Sequence, residues 1–125
     1  MNQTQALVLA SHHVDIWWTI LKRIYPAVGT KPQTEISNRM KTCAGMMYYE
    51  QRIMRLSFEL FDEYTDEMTG ETIPHELVHQ VCWDIHQHGG HGPLWKNMMR
   101  SIGKEPSRLH SMVNSKHAAR KAGAL

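Results

Sequence analysis

The sequence predicts an α+β domain with a long N-terminal helix, a small three-stranded antiparallel sheet and further helices after the sheet. Apolar side chains recur at helical spacing through residues 4–24. Short segments rich in β-branched, aromatic and methionine residues follow between residues 34 and 57, and helical patterns return from residue 58. Because helices and strands are segregated along the chain, the α+β class is favoured. With 125 residues, 42% of them apolar and 21% charged, the chain has the size and composition of one globular domain.

The N-terminal pattern predicts an amphipathic helix whose apolar face covers the core. Its apolar positions follow a period close to 3.6 residues: Leu7, Val8, Val14, Trp17, Trp18, Leu21 and Ile24. Pro26 ends this pattern, and Gly29 and Pro32 mark the residues that follow as a loop.

The predicted sheet consists of segments 33–40, 44–50 and 52–57, in which apolar and polar residues partly alternate. Polar positions separate the segments, as is typical of a small antiparallel sheet of three strands. The methionines in this region are interpreted as core residues, because a flexible thioether side chain fills irregular space in a core.

The second half of the chain predicts helices separated by short breaks. The central helix has Thr72 as its N-cap and Pro74 in its first turn, and it stops at Gly89-Gly90. Residues 65–71 are predicted to form an acidic turn before it. The remaining helices are predicted over residues 58–64 and 93–102.

The central helix contains the pattern HExxH, formed by His75, Glu76 and His79. Residues four apart lie above one another on a helix, so the two imidazoles can bind one metal ion. Glu76 is one step round the helix, within reach of a water molecule on that ion, and can act as general base. The pattern therefore predicts a hydrolytic zinc site with Glu76 as the catalytic residue.

A third protein ligand completes a catalytic zinc site, and His91 is the predicted residue. His86 lies near the same face of the helix, but about 10 Å further along its axis than His79, which is too far to bind the same ion. His88 is too far along the axis for the same reason. The chain must turn back, and Gly89-Gly90 provide the flexible break directly before His91. One zinc ion per chain, bound by His75, His79 and His91, is therefore expected.

Other zinc-protease patterns fit this sequence less well. In HExxHxxGxxH, the glycine position is occupied by Cys82 and the third histidine position by Ile85. A glutamate ligand would have to be Glu105, far downstream in a basic segment. Asp84 and the acidic residues between 59 and 67 are candidates for orienting the imidazoles.

Charge is strongly segregated, although the formal net charge is only +2. Residues 56–95 contain eight acidic side chains and no Lys or Arg, whereas residues 96–125 contain seven basic side chains and one acidic. The basic end can follow a phosphate backbone, or it can be a solubilising tail. The candidate nucleic-acid contacts are Arg108, Lys116, Arg120 and Lys121.

The residues around the metal motif resemble the SprT-like metallopeptidases, a family that includes the Spartan proteases. The resemblance covers about residues 16–110 and is sharpest in "TIPHELVHQ" and "GGHGPLWKNMM". "NRMKTCAGMMYY" and "RLSFEL" are similar to the family's strand signatures, and "IGKEPSRLH" is similar to the stretch that ends its protease domain.

The resemblance implies a minimal zincin-like protease domain over residues 1–110, followed by a basic tail over residues 111–125. His75, His79 and His91 match the family's zinc ligands, and Glu76 matches its catalytic glutamate. Family members are linked to DNA-protein crosslink repair, so protein substrates are expected, and single-stranded DNA is the expected partner of the basic C-terminal segment. Many relatives carry a cysteine zinc ribbon after the protease domain, whereas no CxxC pair occurs here.

Two alternatives to a DNA-linked zinc endopeptidase remain open at this stage. The zinc site can be structural, in a non-enzymatic module associated with nucleic acid, or the chain can be a zinc protease unrelated to DNA. The sequence contains no apolar run long enough for a membrane span, and its N-terminus lacks the basic region and cleavage site of an export signal. A cytoplasmic location is therefore expected, and the oligomeric state is left open.

Overall fold

The computed structural model describes residues 1–107 and 110–123 of the chain. Helices surround a small sheet, in the α+β arrangement that the sequence predicts. The elements are α1 (Gln3–Ile24), β1 (Gln33–Ser37), β2 (Gly45–Tyr48), β3 (Ile53–Ser57), α2 (Phe58–Glu63), α3 (Thr65–Glu67), a π-helical turn (Met68–Thr72), α4 (Ile73–His86), α5 (Pro93–Ser101) and α6 (Ser115–Lys121).

The N-terminal helix buries one stripe of small and apolar side chains. Ala6, Ala10, Val14, Trp18 and Leu21 recur every three or four residues and are buried. They pack against the sheet and α4, whose own buried residues contribute much of the core. A capping box at Asn2 begins the helix. The predicted helix is confirmed, but three of the seven residues assigned to its apolar face are exposed, namely Leu7, Val8 and Ile24.

The sheet has the order β1-β3-β2, so β1 and β2 are both edge strands. β2 and β3 are antiparallel, as expected, but β1 and β3 are parallel, and the prediction of a wholly antiparallel sheet is wrong. Residues 38–44 take the chain from β1 to the far edge, and the turn after β2 returns it to the middle. Alternation of side chains predicts the faces of a strand, but it contains no information on which neighbour the strand pairs with.

Residues 65–71 are helical, so the prediction of an acidic turn over these residues is wrong. α3 and the π-helical turn lead without a break into α4, so Thr72 is inside a helical segment and its side chain makes no capping hydrogen bond. Met68, Thr69 and Thr72 are buried there. Burial of these side chains outweighs the turn preference of the neighbouring Asp, Thr and Gly residues. α4 ends at His86, where Gln87 adopts a left-handed conformation with φ of 50°.

The C-terminal segment is attached to the rest of the domain by specific polar contacts. His110 Nε2 lies 2.7 Å from the main-chain oxygen of Thr42, and Asn114 donates to the main chain of Lys41. Glu59 accepts hydrogen bonds from Arg120, at 2.8 and 3.1 Å, and from Lys41, at 2.6 Å. One carboxylate on α2 therefore holds both the loop before β2 and helix α6.

Replacing Glu59 by glutamine is expected to lower the free energy of unfolding by about 1–2 kcal/mol at pH 7, because two charge-assisted contacts are lost at a partly exposed site. Hydrogen bonds from Arg120 and Lys41 lower the pKa of Glu59 from 4.5 to about 2. A lowered pKa stabilises the folded state above pH 4.5, and this contribution is lost as the pH falls toward 2. Chemical denaturation of the wild-type chain and the variant at pH 7 and near pH 2 measures the difference in their free energies of unfolding.

The matched control is Glu50→Gln, since Glu50 is exposed in the turn after β2 and makes no ion pair within residues 1–107 and 110–123. The free energies of unfolding of the two variants should differ at pH 7 and should become equal near pH 2. Equal stability at pH 7 would contradict the assigned role of Glu59.

None of the helices in residues 1–107 and 110–123 combines the length and the apolar character that a membrane span requires. This observation agrees with the absence of such a run in the sequence.

Candidate metal centre

Three imidazoles converge at one point on the surface of α4. His75 and His79 lie one turn apart on α4, and His91 comes from the loop between α4 and α5. The Nε2 atoms of His75 and His91 are 3.1 Å apart, those of His79 and His91 are 3.0 Å apart, and those of His75 and His79 are 3.3 Å apart. The structure thus brings together the three residues that the sequence singled out.

The separation of the three nitrogen atoms fits a tetrahedral metal ion. Zinc binds imidazole nitrogen at about 2.0–2.1 Å, and two ligands of a tetrahedral site are then about 3.3 Å apart. Burial and the neighbouring imidazoles lower the pKa of His75 to about 4 and that of His79 to about 3. Both rings are therefore neutral near pH 7, which is the form that binds a metal. The donor set, its spacing and its charge state all fit zinc.

The imidazoles are held in place by different means. His75 hydrogen bonds to the main chain of Ser107, an interaction of the kind that fixes the orientation of metal-binding rings. His79 Nδ1 is buried and has no hydrogen-bond partner in the part of the chain that the structure describes. The ring of His79 instead stacks on Trp95, with ring centroids 5.2 Å apart and planes 19° apart.

Trp95 contacts all three rings. Its centroid is 4.7 Å from that of His75 and 4.7 Å from that of His91, both in edge-to-face geometry. The side chain is fully buried, and Nε1 is 3.4 Å from the main-chain oxygen of His75. Trp95 thereby packs α5 against the metal-binding helix and contacts the three candidate ligands at the same time.

Glu76 lies beside the three histidines, with Oε2 3.7 Å from Nε2 of His75. The residue is buried, with 7% of its surface exposed, and burial raises its pKa to about 8. A carboxylate in this environment binds a proton far more readily than one in water. The site therefore combines neutral metal ligands with a buried carboxyl group.

Gly45, the first residue of β2, allows the strand to pass close to Glu76. A Cβ atom built at this position would be 3.0 Å from Glu76 Cγ, 3.2 Å from Leu56 Cδ2 and 3.2 Å from Thr72 Cγ2. The glycine is required here for close approach, and its φ angle is not left-handed. The spacing of the sequence motif contained no sign of this contact, because it joins residues from distant segments.

Replacing Gly45 by alanine is expected to displace Glu76 by a few tenths of an ångström and to lower the hydrolytic activity predicted from the sequence by about tenfold, while zinc content is unchanged. Peptidase assays together with zinc analysis measure both effects. Gly70→Ala is the matched control, because a Cβ at that helical position meets no atom within 4 Å. Equal activity of the two variants would show that the close approach at Gly45 does not position Glu76.

The three histidines and Glu76 face a cleft of about 630 Å³. Edge strand β2 forms one wall through Gly45, Met46 and Met47. Residues of the segment after α5 also line the cleft, among them Ser107 and His110. His110 is held there by its contact with Thr42 and by a hydrogen bond from the Met112 main chain to its Nδ1.

Several other residues considered from sequence lie away from the centre. His86 and His88 are exposed at and beyond the end of α4. Asp84, a candidate for orienting the imidazoles, instead forms a two-point ion pair with Arg52, at 2.6 and 2.9 Å, and also accepts from Gln80. This network links α4 to the turn between β2 and β3.

The candidate nucleic-acid residues are in varied surroundings. Arg120 is paired with Glu59, and Lys116 Nζ is 4.0 Å from Asp62. Lys121 is exposed, and Arg108 lies outside the described residues. Their role in nucleic-acid binding, and the domain boundary at residue 110, stay predictions.

Comparison with known proteins identifies relatives of this chain. Protein SprT of Klebsiella pneumoniae is 37% identical over 79 residues, which are 60% of this chain and 46% of that protein. Protein SprT of Salmonella arizonae is 36% identical over 92 residues, 70% of this chain and 51% of that protein. The chain thus spans about half the length of these curated relatives. No solved structure has a significant match.

The sequence profile of the SprT-like family matches residues 12–117, which include the metal-binding helix, the loop with the third histidine and the residues that line the cleft. On this match the chain belongs to the SprT-like family.

Proposed function

We propose that this protein is a zinc-dependent endopeptidase that cleaves proteins bound to or crosslinked with DNA. The observation that carries the proposal is the convergence of three imidazole Nε2 atoms, within 3.3 Å of one another, beside a buried carboxylate in an open cleft. This combination supplies both a binding site for a Lewis acid and a base for water.

The chain's own residues have distinct parts in the proposed hydrolysis. His75, His79 and His91 would hold the ion, which when bound acidifies a water molecule and polarises the scissile carbonyl. Glu76 accepts a proton from the attacking water through its carboxylate and later delivers it to the leaving amine nitrogen. Burial raises the pKa of Glu76, and the positive charge of an ion held by the three histidines would oppose this shift and favour the carboxylate form that accepts the proton.

Edge strand β2 can bind an extended substrate. It pairs with β3 on one side, and its other side borders the cleft. The free main-chain groups of an edge strand can pair with an added peptide strand. A peptide bound in this way passes beside Gly45, which is next to Glu76.

Two features bear on the alternative of a purely structural zinc site. The group of potential ligands found in residues 1–107 and 110–123 has three members, whereas structural zinc sites usually have four protein ligands. Glu76 is buried beside the ligands, where a structural site has no need of a carboxylate. Both features favour an enzyme.

The association with DNA rests on the family resemblance and on the basic side chains after residue 95. Phosphate neutralisation by such residues binds DNA without regard to sequence. A protease unrelated to DNA is the second candidate, since Arg120 and Lys116 have acidic neighbours. The cytoplasmic location belongs to the same proposal.

Proteolysis by the zinc-loaded full chain, with and without single-stranded DNA, tests the proposal. Cleavage that requires both Glu76 and DNA is the expected result. Cleavage that requires Glu76 but is unaffected by DNA would retain the peptidase and reject the link to DNA. Zinc binding without cleavage under either condition would reject the peptidase.

A further inference from the structure

The segment between α5 and α6 has no helix or strand among its described residues. We call residues 103–107 and 110–114 the strap. Gly103 adopts a left-handed conformation with φ of 75° just after α5, and the main-chain N–H of Lys104 donates back to Met99. Because no helix or strand ladder holds the strap, individual contacts with the rest of the domain decide its position.

Both ends of the strap are fastened to other elements. At its start, Lys104 Nζ lies 3.3 Å from Glu71 and 5.2 Å from the centre of the Trp17 ring. At its end, the Tyr64 hydroxyl donates to the main-chain oxygen of Val113 at 2.7 Å and accepts from its main-chain nitrogen at 3.2 Å. The strap residues between these anchors that line the metal cleft are Glu105, Ser107, His110, Ser111 and Met112.

One metal ligand receives a hydrogen bond from the strap. The main chain of Ser107 bonds to the ring of His75, whose Nε2 faces the other two imidazoles at 3.1 and 3.3 Å. His79 is held differently, because it is buried and stacked on Trp95 of α5. An outer hydrogen bond fixes the orientation of a metal-binding ring. The orientation of His75 is therefore tied to the position of the strap.

His110 fastens the strap three positions after Ser107. Its Nδ1 accepts a hydrogen bond from the main-chain nitrogen of Met112 at 3.1 Å, and its Nε2 lies 2.7 Å from the main-chain oxygen of Thr42. A main-chain N–H can only donate and a carbonyl can only accept, so the hydrogen of the neutral ring is on Nε2. His110 thus donates to the loop before β2, and both of its nitrogens are engaged within the protein.

The loop that His110 contacts is itself well anchored. Lys41, next to Thr42, bonds to Glu59 at 2.6 Å through its ammonium group, and its main-chain oxygen accepts from Asn114 at 2.8 Å. A supporting contact positions a site only when the supporting residue is itself held in place. The hydrogen bond from His110 therefore ties the strap to the body of the domain.

We propose that His110 is a positioning residue of the metal centre. Its hydrogen bond to Thr42 fastens the strap, and the strap in turn holds the main chain of Ser107 against the ring of His75. His110 acts through these neighbours and does not bind the ion, since it is not one of the three residues whose candidate ligand atoms cluster. The inference rests on the zinc site of the proposed function, and it concerns metal affinity rather than the cleavage of any substrate.

Competition with a zinc-sensitive dye, carried out on the full chain, measures how this contact affects zinc affinity. His110→Ala is expected to weaken zinc binding about tenfold, the lower end of the usual cost of losing the outer partner of a ligand. Two conservative variants separate the two contacts of the imidazole. His110→Gln can place its amide nitrogen where Nε2 lies and donate to Thr42, so its affinity should stay within about threefold of the wild type. His110→Asn can accept from Met112 but cannot reach Thr42, so its affinity should fall as in His110→Ala.

Two control variants test the other anchors of the strap. Tyr64→Phe removes both hydrogen bonds to Val113 but leaves His110 in place. Lys104→Met removes an ion pair whose Glu71 side chain is 61% exposed. Both variants should keep their zinc affinity within about twofold of the wild type, because exposed ion pairs and surface contacts contribute little. Thermal denaturation without zinc identifies any variant whose fold is damaged.

The visible absorption of cobalt bound in place of zinc gives a readout that a merely structural role of His110 would not move. This absorption depends on the number and the arrangement of the ligands around the ion. At saturating cobalt, loss of the orientation of His75 should weaken the absorption in His110→Ala and His110→Asn. His110→Gln should restore it.

Zinc affinity equal to that of the wild type in both His110→Ala and His110→Asn would overturn the assignment. So would a loss in His110→Gln or in Tyr64→Phe as large as that in His110→Ala, because the hydrogen bond to Thr42 would then not be the cause. A wild-type chain that binds no zinc would reject both this inference and the proposed function. Zinc affinity that depends on His110, without cleavage of any substrate, would support this inference and reject the proposed peptidase.

Discussion

Replacing Glu76 by glutamine is expected to lower peptidase activity by about 10²–10⁴-fold, the usual contribution of a general base. Glutamine has the same shape as glutamate but cannot accept a proton from water. The carboxylate is buried and 3.7 Å from His75, so the amide can occupy the same space without disturbing the histidines. Zinc content should therefore equal that of the unchanged protein.

Glu67→Gln is the matched control for this experiment. Glu67 also borders the metal cleft, but it is exposed and lies at the end of α3. The same chemical change there should leave kcat within about twofold, because surface substitutions usually have small effects. Steady-state kinetics on an unfolded protein substrate, with zinc analysis of each sample, gives the comparison. Full activity of Glu76→Gln would show that the general base is another group.

Replacing His91 by alanine is expected to reduce zinc affinity by more than about a hundredfold. Loss of an outer partner of a ligand already costs about 10–100-fold, and loss of the ligand itself should cost more. His91 is on the loop between α4 and α5, so its removal leaves the helix and the core intact. Competition with a zinc-sensitive dye measures the affinity directly.

His88→Ala controls for the histidine content of this loop, because His88 is exposed and lies only three residues before His91. Zinc at a hundred times its dissociation constant should stabilise the wild-type chain and His88→Ala by about 2.7 kcal/mol. His91→Ala should show little of this stabilisation at the same zinc concentration. A reversed result, with His88→Ala losing the stabilisation, would mean that the third ligand is misassigned.

Local patterns predicted much of the fold. Helix α1 was expected over residues 4–24 and is found over Gln3–Ile24, and α5 was expected over residues 93–102 and is found over Pro93–Ser101. Periodicity and helix-ending residues are encoded next to the positions that they affect. The direction of β1 relative to β3 and the helical character of residues 65–72 were missed, because both depend on contacts with distant segments.

The candidate site likewise has features that the sequence predicts and features that only the structure reveals. The spacing of four residues along one helix predicted that His75 and His79 bind the same metal ion. Because His86 is too far along the helix axis, His91, after the glycine break, was predicted as the third ligand. The close approach of Gly45 to Glu76, the support by Trp95 of all three rings and the cleft wall at His110 follow from tertiary structure. A motif predicts which atoms bind the metal, whereas the surrounding fold decides how rigidly they are held.

The position of Trp95 gives the metal centre an optical reporter of its own. Its indole lies against all three histidine rings, and quenching of indole fluorescence by a nearby paramagnetic ion falls steeply with distance. Cobalt or copper bound in this site would quench the fluorescence of Trp95 far more than zinc, which has a filled d shell. With the other three tryptophans replaced by phenylalanine, the exchange of one metal for another could be followed by fluorescence, without any substrate.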